Sequence, residues 1–457
     1  MMDKHIAFPV VIFNIQKKRD IYTFMALYDT LNDMQKKDYI PKNRRDALIM
    51  ASFHPLPEGI KHTLLERHDN SIDLRLAKNP TSQNLLLKRI YKRHSHDVKF
   101  LSALSSNPRT GIELIRLLAE STEISVHESL AANPQCPREI LANIAMSSAE
   151  AGYFAAKNPK ATPELLFKLW GNDILMQRTC ILRHPDCPQT LLDSKFSNLS
   201  LTLQQARHPN TGNNHLITLS LHDNEAVRAT VARHPRLSKD NLIKLLVDPC
   251  ANVRRGIARQ PFLDIKTQKI LATDRDPWVR IWLAYHSMLD SQLLLILARD
   301  EHPKVRRAVA RHPLCPSQLL TEFSKDSDSW VQAGLAWRPN LPSELIETLS
   351  KKENLDILTG LAHQKYASQE LLIRLAEHQN EDVRRAVARN PYSTSKVISK
   401  LTKDPYPLNR ILIVHHPNLT SPNLLDLCTD PEPRVRFMSI RAYVNKPEQC
   451  SSKEHNL

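Results

Sequence analysis

The stretch Lys304–Ser324, KVRRAVARHPLCPSQLLTEFS, decides the fold, because the rest of the chain repeats it more or less closely. Its first half places Val305, Ala308 and Val309 at the i, i+3 and i+4 spacing of one helical face. Pro313 ends this helix, since proline lacks an N–H and moves the preceding residue out of the helical region. The sequence therefore predicts a short helix followed by a sharp corner.

The second half of the stretch predicts another short helix. Pro316 suits its first turn, and Leu319, Leu320 and Phe323 share one helical face. Neither half shows the alternation typical of a strand. A repeat built from two such helices cannot bury its apolar residues alone, so neighbouring repeats must stack on it.

We call the residue equivalent to Pro313 the anchor of its repeat. Twelve other prolines are anchors: Pro55, Pro80, Pro108, Pro134, Pro159, Pro185, Pro209, Pro235, Pro261, Pro339, Pro391 and Pro417. From Pro209 onward the step is 26 residues, which adds three anchors that are not proline, Ser287, Lys365 and Tyr443. The pattern predicts sixteen repeats, irregular in length before Pro209 and regular after it.

The repeated pattern, V-R-x-A-V-A-x-[HN]-P-x-[TC]-P-x-x-L-L, resembles the leucine-rich repeat variant family, a relative in shape of HEAT-type α-solenoids. The resemblance covers roughly residues 45 to 443. It implies an all-α, right-handed α-solenoid of about sixteen ~26-residue two-helix repeats, in which an α-helix alternates with a short or 3₁₀ helix. The family's founding member holds an iron–sulphur centre in an N-terminal cysteine cluster. Here the first cysteine is Cys136, so we expect no such cluster and no cofactor.

Composition agrees with proline corners between helices. The chain has 457 residues, of which eight are glycine and 30 are proline. No two glycines have the spacing of a phosphate-binding loop, and no nucleophile–base pair or paired carboxylate site is evident, so we predict that the protein is not an enzyme. Its short N-terminal apolar run lacks the features of a secretory signal, which makes the cytoplasm the expected location, without membrane attachment.

Three segments are predicted along the chain. Residues 1–45 do not match the repeat and would cap the first repeat or, alternatively, dock a partner; residues 46–444 form the solenoid, counted as one long domain; residues 445–457 form a polar tail. Arg93-His94-Ser95-His96-Asp97 is interpreted as a solvated loop rather than a metal site. Cys136, Cys187 and Cys315 share one repeat position and are interpreted as small corner residues without a metal or disulfide role.

In a stack of repeats, equivalent residues line up as columns. One column pairs an aspartate with an arginine six residues later, and we interpret it as a structural ladder in which the aspartate caps the next helix and the arginine reaches a neighbouring repeat's aspartate. Its members are Asp248, Arg254, Asp274, Arg280, Asp300, Arg306, Asp404, Arg410, Asp430 and Arg436.

A second column, two residues before the anchor, is basic and has no acidic partner at fixed spacing. Its members are Lys78, Lys157, Arg183, Arg207, Arg233, Arg259, Arg311, Arg389 and Arg441, with His363 and His415 in weaker repeats. The column fits the net charge of +15 from 63 Lys and Arg against 48 Asp and Glu. We call these residues the basic column. It is a candidate binding surface, although a solvated edge that aids solubility would look the same.

Tryptophans are concentrated beside this column. Four of the five lie within residues 278–337, and Trp337 belongs to the column itself. Trp282 takes the place of an alanine and is expected to pack, whereas Trp337 is the best candidate for an exposed contact. The position directly before the anchor alternates between histidine and asparagine, which predicts a side chain that hydrogen-bonds the corner backbone.

Two functions are compatible with these columns. The first is a non-catalytic repeat scaffold that mediates protein–protein interaction along an extended basic surface. The alternative is a nucleic-acid-binding solenoid that contacts phosphates through the Lys/Arg column. The sequence leaves open whether the partner is a protein or a nucleic acid, and no small-molecule substrate is evident.

Overall fold

The computed structural model describes residues 43–52, 56 and 58–445, with the backbone alone for residues 444 and 445. Most of the predicted N-terminal cap, the anchor Pro55 and the tail after Asn445 lie outside these residues. Every regular element in the described chain is an α-helix, and none of its residues is in a strand. The predicted all-α fold is confirmed.

The described helices alternate between the first helix of a repeat, which we give odd numbers, and the second helix, which we give even numbers. Their bounds are α1 Arg44–Ala51, α2 Glu58–Leu65, α3 Asn70–Lys78, α4 Asn84–Arg93, α5 Val98–Ser106, α6 Ile112–Ala119, α7 Ile124–Ala132, α8 Arg138–Ile144, α9 Ala149–Lys157, α10 Pro163–Trp170, α11 Leu175–Ile181, α12 Gln189–Leu192, α13 Leu199–Arg207, α14 Asn213–Ser220, α15 Glu225–Val231, α16 Lys239–Leu246, α17 Ala251–Ile257, α18 Ile265–Ala272, α19 Pro277–Ala284, α20 Ser291–Leu297, α21 Pro303–Arg311, α22 Ser317–Ser324, α23 Ser329–Ala336, α24 Ser343–Ser350, α25 Leu355–Ala362, α26 Gln369–Ala376, α27 Glu381–Arg389, α28 Ser395–Leu401, α29 Pro407–Ile413, α30 Ser421–Leu427 and α31 Pro433–Asn445.

The repeat around Pro313 has the predicted form. Helix α21 buries Val305, Ala308 and Val309, and it ends at Arg311 because His312 has extended backbone before the proline. The corner is closed by a hydrogen bond of 3.0 Å from the Cys315 N–H to the His312 carbonyl.

The second helix of this repeat is a short α-helix. Leu319, Leu320 and Phe323 of α22 are buried, and Pro316 lies at the N-cap rather than inside the first turn. Second helices elsewhere in the described chain are also α-helical. Of the two expected forms, short α-helix and 3₁₀ helix, the structure has the short α-helix.

The three anchors that are not proline behave differently from one another. Ser287 and Lys365 occupy corners of the ordinary kind, closed by bonds from Leu289 N–H to His286 O and from Ala367 N–H to Gln364 O. Tyr443 lies inside α31, which runs on to Asn445. The sixteenth corner predicted from the period is therefore wrong, because the helix continues through Tyr443.

Packing is between neighbours in the chain. First helices pack on the first helices of adjacent repeats and on the second helices beside them, which is the arrangement of an α-solenoid. The described chain divides between Gly256 and Ile257 into two compact units. We call residues 36–256 the N-terminal unit and residues 257–457 the C-terminal unit, and the site is described separately in each. No described helix is long and apolar enough to cross a lipid bilayer.

Candidate interaction surface

The basic column lies at the C-terminal ends of the first helices. Lys78, Lys157, Arg207, Arg311 and Arg389 are each the last residue of their helix. A cation in the last turn of a helix interacts favourably with the helix dipole, which gives the column a structural reason of its own. All of its lysines and arginines are nevertheless exposed, so their charged groups also face solvent.

Most cations of the column have no acidic partner. Among the described residues, no carboxylate forms an ion pair with Lys78, Lys157, Arg183, Arg207, Arg233, Arg311, Arg389 or Arg441. Their contacts are of other kinds. The Arg183 Nε donates to Gln204 Oε1 at 2.9 Å, and the Lys157 Nζ lies 5.0 Å from the centre of the Tyr153 ring.

In the C-terminal unit, consecutive members of the column lie near one another. The Arg311 guanidinium lies 6.0 Å from the Trp337 ring centre, and the Trp337 and His363 rings are 5.1 Å apart. The pKa of His363 is lowered, first by burial and then by the charge of Arg389. Arg311, Trp337, His363 and Arg389 thus form a run along one side of this unit.

Trp337 is less available than the sequence suggested. It is half-buried, and its Nε1–H donates to Asp356 Oδ1 at 3.0 Å. Asp356 also pairs with Arg307, whose Nη2 lies 3.0 Å from Asp356 Oδ2. The more exposed tryptophan is Trp330, at 60%.

Cations cover the faces of the neighbouring tryptophans. The Lys304 Nζ lies 4.9 Å from the Trp278 ring centre and Arg307 lies 4.6 Å from that of Trp330. Arg259 lies 3.4 Å from the ring of Trp282, which is half-buried as a packing residue would be. These tryptophan rings are cation–π partners within the chain.

The ladder residues, in contrast, are paired and largely buried. The Arg306 Nε donates to Asp326 Oδ2 at 2.9 Å and its Nη2 to Asp326 Oδ1 at 3.0 Å, a two-point contact between adjacent repeats. The Arg306 Nη1 donates to the Asp300 carbonyl at 2.9 Å within its own repeat. Equivalent pairs join Arg228 to Asp248, Arg280 to Asp300, Arg384 to Asp404 and Arg410 to Asp430.

The ladder differs in two ways from its sequence interpretation. Each aspartate lies two residues before the N-cap rather than at it: Asp326 Oδ1 accepts the N–H of Asp328, which is the N-cap of α23. The interpretation also missed Arg228, Asp326 and Arg384, whose repeats lack the second member of the predicted six-residue pair. Burial would raise the pKa of Asp326, but the hydrogen bonds from Arg306 and the Asp328 N–H outweigh it, so the pKa is lowered.

The histidine and asparagine position before the anchor forms hydrogen bonds between corners, which confirms its prediction. The His312 Nε2 donates to the His286 carbonyl of the preceding corner at 2.9 Å, and its Nδ1 accepts the Leu314 N–H at 3.1 Å. Asn390 does the same with its amide, donating to the Gln364 carbonyl at 3.1 Å and accepting the Tyr392 N–H at 3.0 Å. Asparagine therefore replaces histidine because both offer one donor and one acceptor at the same places.

The structure shows the surroundings of the cysteines and of the Arg93–Asp97 cluster. The six described cysteines are free thiols, and burial raises the pKa of Cys136 and Cys315 to about 11 and of Cys187 and Cys428 to about 12. No group of three or more metal-ligating side chains occurs in the described chain. His96 and Asp97 are exposed in the loop after α4, as expected, whereas the His94 side chain packs on Phe100 with ring centres 3.7 Å apart.

Among the comparisons with known proteins, the one with solved structures gives a match. The chain is similar in structure to a leucine-rich repeat variant. That solved structure, described as "a leucine-rich repeat variant with a novel repetitive protein structural motif", shares 22% identity, with 49% of this chain and 89% of that chain covered at a TM-score of 0.34. No family model and no curated protein matches the chain. The fold described above rests on the helices and their contacts.

Proposed function

We propose that the protein is a non-catalytic scaffold that binds an acidic protein partner through the basic column. The observation that carries the proposal is the contrast between the two columns of arginine. Ladder arginines such as Arg306 are paired with carboxylates, whereas Arg207, Arg311 and Arg389 are exposed without such a partner among the described residues. A row of unneutralised cations is complementary to an acidic surface.

The surroundings of the column favour a protein over a nucleic acid. Single-stranded nucleic acid binds through phosphate contacts together with bases that stack on aromatic rings. Three tryptophans beside the column already have partners within the chain, because Lys304 lies over Trp278, Arg307 lies over Trp330 and Trp337 is bonded to Asp356. We also propose a cytoplasmic location, where buried thiols such as those of Cys136 and Cys315 remain reduced.

The test is binding of poly-L-glutamate and of mixed-sequence DNA and RNA oligonucleotides, at low and near-physiological salt. The column variant carries Arg207→Ala, Arg233→Ala, Arg311→Ala and Arg389→Ala. A matched control removes four exposed lysines of second helices, Lys239, Lys266, Lys269 and Lys396, and so loses the same charge elsewhere.

We expect poly-L-glutamate to bind the natural protein and to dissociate as salt rises. The column variant should bind it about 10-fold to 100-fold more weakly, because exposed ion pairs contribute about 0.2 to 1 kcal/mol each. The lysine control should bind nearly as the natural protein does. Equal loss in both variants would make the effect one of net charge and overturn the proposal. Column-dependent binding of the oligonucleotides alone would assign the column to nucleic acid instead.

A further inference from the structure

The residue directly after each anchor differs in character between the two units. We call it the corner position. In the N-terminal unit Leu56 is apolar but buried, with 3% of its surface exposed, and the other described members are polar: Thr81, Arg109, Gln135, Lys160, Asp186, Asn210 and Arg236. In the C-terminal unit five of the seven members after the anchors from Pro261 to Pro417 are large and apolar or aromatic, and we call these five the apolar corner stripe: Phe262, Met288, Leu314, Tyr366 and Tyr392.

These five side chains are turned to solvent. Phe262 is 87% exposed, Met288 70% and Leu314 57%, and the two tyrosines are about half exposed. A row of large apolar side chains that face water at equivalent positions is characteristic of an interaction surface. Single exposed apolar residues need no such explanation, but a column of them confined to one unit does.

Polar residues at the corner position form hydrogen bonds within the chain that apolar residues cannot form. The Lys160 Nζ donates to the Gln135 carbonyl at 2.9 Å, and the Asn418 Nδ2 donates to the Ser393 carbonyl at 2.8 Å, each in the preceding corner. Phe262, Met288 and Leu314 have no donor for such a bond. Their presence is therefore not explained by contacts between corners.

The stripe is accompanied by positive charge. The Lys365 Nζ lies 5.3 Å from the Tyr366 ring centre and 5.7 Å from that of Tyr392, which shows that successive corner side chains share one edge. Arg311 and Arg389 of the basic column precede Leu314 and Tyr392 by three residues. Neither arginine is paired with a described carboxylate. The apolar residues and the cations together are complementary to a segment that is both apolar and acidic.

The repeat spacing indicates the conformation of that segment. Packed helices lie about 8 to 10 Å apart, so equivalent residues of adjacent repeats recur at about this distance. An extended polyproline-type chain has three residues per turn and rises about 3.1 Å per residue, which returns every third side chain to the same side after about 9.3 Å. One apolar residue in three would therefore meet one corner after another.

We propose that the apolar corner stripe of the C-terminal unit docks an extended acidic segment of the protein partner in which every third residue is apolar. The inference rests on the proposed scaffold function and specifies its ligand. Apolar side chains of the segment contact Phe262, Met288 and Leu314, and its carboxylates face Arg311 and Arg389.

The probes are two fluorescein-labelled fifteen-residue peptides of identical composition, made of Leu, Asp and Glu. One has Leu at every third position. The other has Leu at every fourth position, with the surplus Leu placed at its end. The stripe variant carries Phe262→Gln, Met288→Gln and Leu314→Gln. The control variant carries Ile265→Gln, Ile270→Gln and Ile296→Gln, which are exposed residues of second helices in the same unit. Binding is measured by fluorescence anisotropy, and circular dichroism with urea unfolding checks that each variant is folded.

We expect the natural protein and the isoleucine control to bind the every-third peptide about tenfold more tightly than the every-fourth peptide. The stripe variant should lose this preference and bind both peptides weakly. Equal binding of the two peptides, no binding of either, or full binding by the stripe variant would overturn the inference. If the stripe variant binds normally while the column variant does not, the scaffold function stands and only the stripe assignment fails.

The same variants also test whether a second copy of the chain, rather than a peptide segment, binds the apolar corner stripe. Sedimentation equilibrium of the natural protein and of the stripe variant measures self-association. A dimer that dissociates when Phe262, Met288 and Leu314 are replaced would assign the stripe to a second copy and overturn the peptide proposal. A monomer in both cases agrees with it.

Discussion

Asp73 and Arg93 form the same inter-repeat ion pair as Arg306 and Asp326, with the two charges exchanged. In each pair the first residue lies seven positions before its anchor and the second lies 20 residues further along the chain. Arg93 Nη1 is 2.9 Å from Asp73 Oδ2, and His94 Nε2 reaches the same oxygen at 2.9 Å. The stack thus accepts either order of charge at this position.

The exchanged pair is buried at its acidic end. The Asp73 side chain is fully buried, whereas Arg93 keeps 25% of its surface exposed. A buried carboxylate is tolerated only while it is paired, so its replacement by a cation leaves two positive groups together. Arg93 makes one bond to Asp73, through Nη1, where Arg306 makes two to Asp326, and His94 supplies the second contact to the Asp73 carboxylate.

We predict that Asp73→Arg lowers the free energy of unfolding by about 3 to 5 kcal/mol. The double variant Asp73→Arg with Arg93→Asp should regain most of this loss, because it recreates the order found at Arg306 and Asp326. Urea unfolding of the natural protein, both single variants and the double variant gives the coupling free energy. A double variant as unstable as Asp73→Arg would show that this position requires an aspartate for another reason.

From the corner histidines we predict that the stability of the protein depends on pH. Burial lowers the pKa of His234 and His312, against a smaller opposing effect of the bond to the preceding carbonyl. The unfolded chain, with a histidine pKa of about 6.5, then binds more protons than the native protein as the pH falls. Stability contributed by these side chains is complete above about pH 6.5 and is lost as the pH falls through their native pKa.

Replacement of His312 separates titration from hydrogen bonding. His312→Ala removes one of the two donors to the His286 carbonyl and the side-chain acceptor of the Leu314 N–H, and should cost about 1 to 3 kcal/mol. His312→Asn keeps both bonds, as Asn390 does, and should cost less while flattening the pH dependence. Urea midpoints between pH 5 and pH 8 measure both effects. An unchanged pH dependence in His312→Asn would show that His312 does not titrate on unfolding in this range.

How much of the fold and of the candidate surface could be predicted from the sequence depends on what the repeat spacing specifies. The spacing of Val305, Ala308, Val309 and Pro313 determines a helix and a corner locally, and the structure has both. A period also assigns residues to columns, which is why the ladder and the basic column were visible. The predicted pair required an aspartate six residues before the arginine, and His222 stands there for Arg228, so Arg228 and its contact with Asp248 were missed.

Other features lie outside the repeat pattern altogether. The exchanged pair of Asp73 and Arg93 has the wrong charges for a search by column, and the bond from Trp337 to Asp356 joins two residues that the repeat pattern does not pair. Tyr443 fits the period, but α31 continues through it to Asn445. The apolar corner stripe needed the exposures seen in the structure, since a corner residue such as Leu314 could equally have been buried.

The first helices α21 and α23 approach each other closely at Gly334, and from this we predict how a substitution of Gly334 affects stability. A Cβ built on Gly334 of α23 would lie 2.7 Å from Arg307 Cγ and 3.0 Å from the Arg307 carbonyl of α21. The arginine side chain is held by Asp356 and cannot move away freely. Gly334→Ala should therefore cost about 1 to 3 kcal/mol through overpacking.

Gly171 is the matched control for this substitution. It follows α10 with helical backbone, and the nearest atom to a Cβ at this position, the Lys168 carbonyl oxygen, would be 3.3 Å away. Gly171→Ala should be neutral or stabilising by up to about 1 kcal/mol. Urea unfolding of both variants gives the comparison, and a Gly334→Ala variant as stable as Gly171→Ala would show that α21 and α23 have room to separate.

Burial of the corner cysteines predicts the order in which thiols react. Cys315 is 4% exposed, and burial raises its pKa to about 11, so that roughly one molecule in a thousand carries the thiolate at pH 8. Cys250 is only partly buried and is more accessible to a reagent. We expect a chromogenic disulfide reagent to modify Cys250 quickly in the native protein and Cys315 only slowly, with mass spectrometry assigning the sites. In urea the two rates should converge, because unfolding removes the burial that separates them. Fast native modification of Cys315 would mean that the corner after His312 opens readily, which contradicts the tight bond from the Cys315 N–H to the His312 carbonyl.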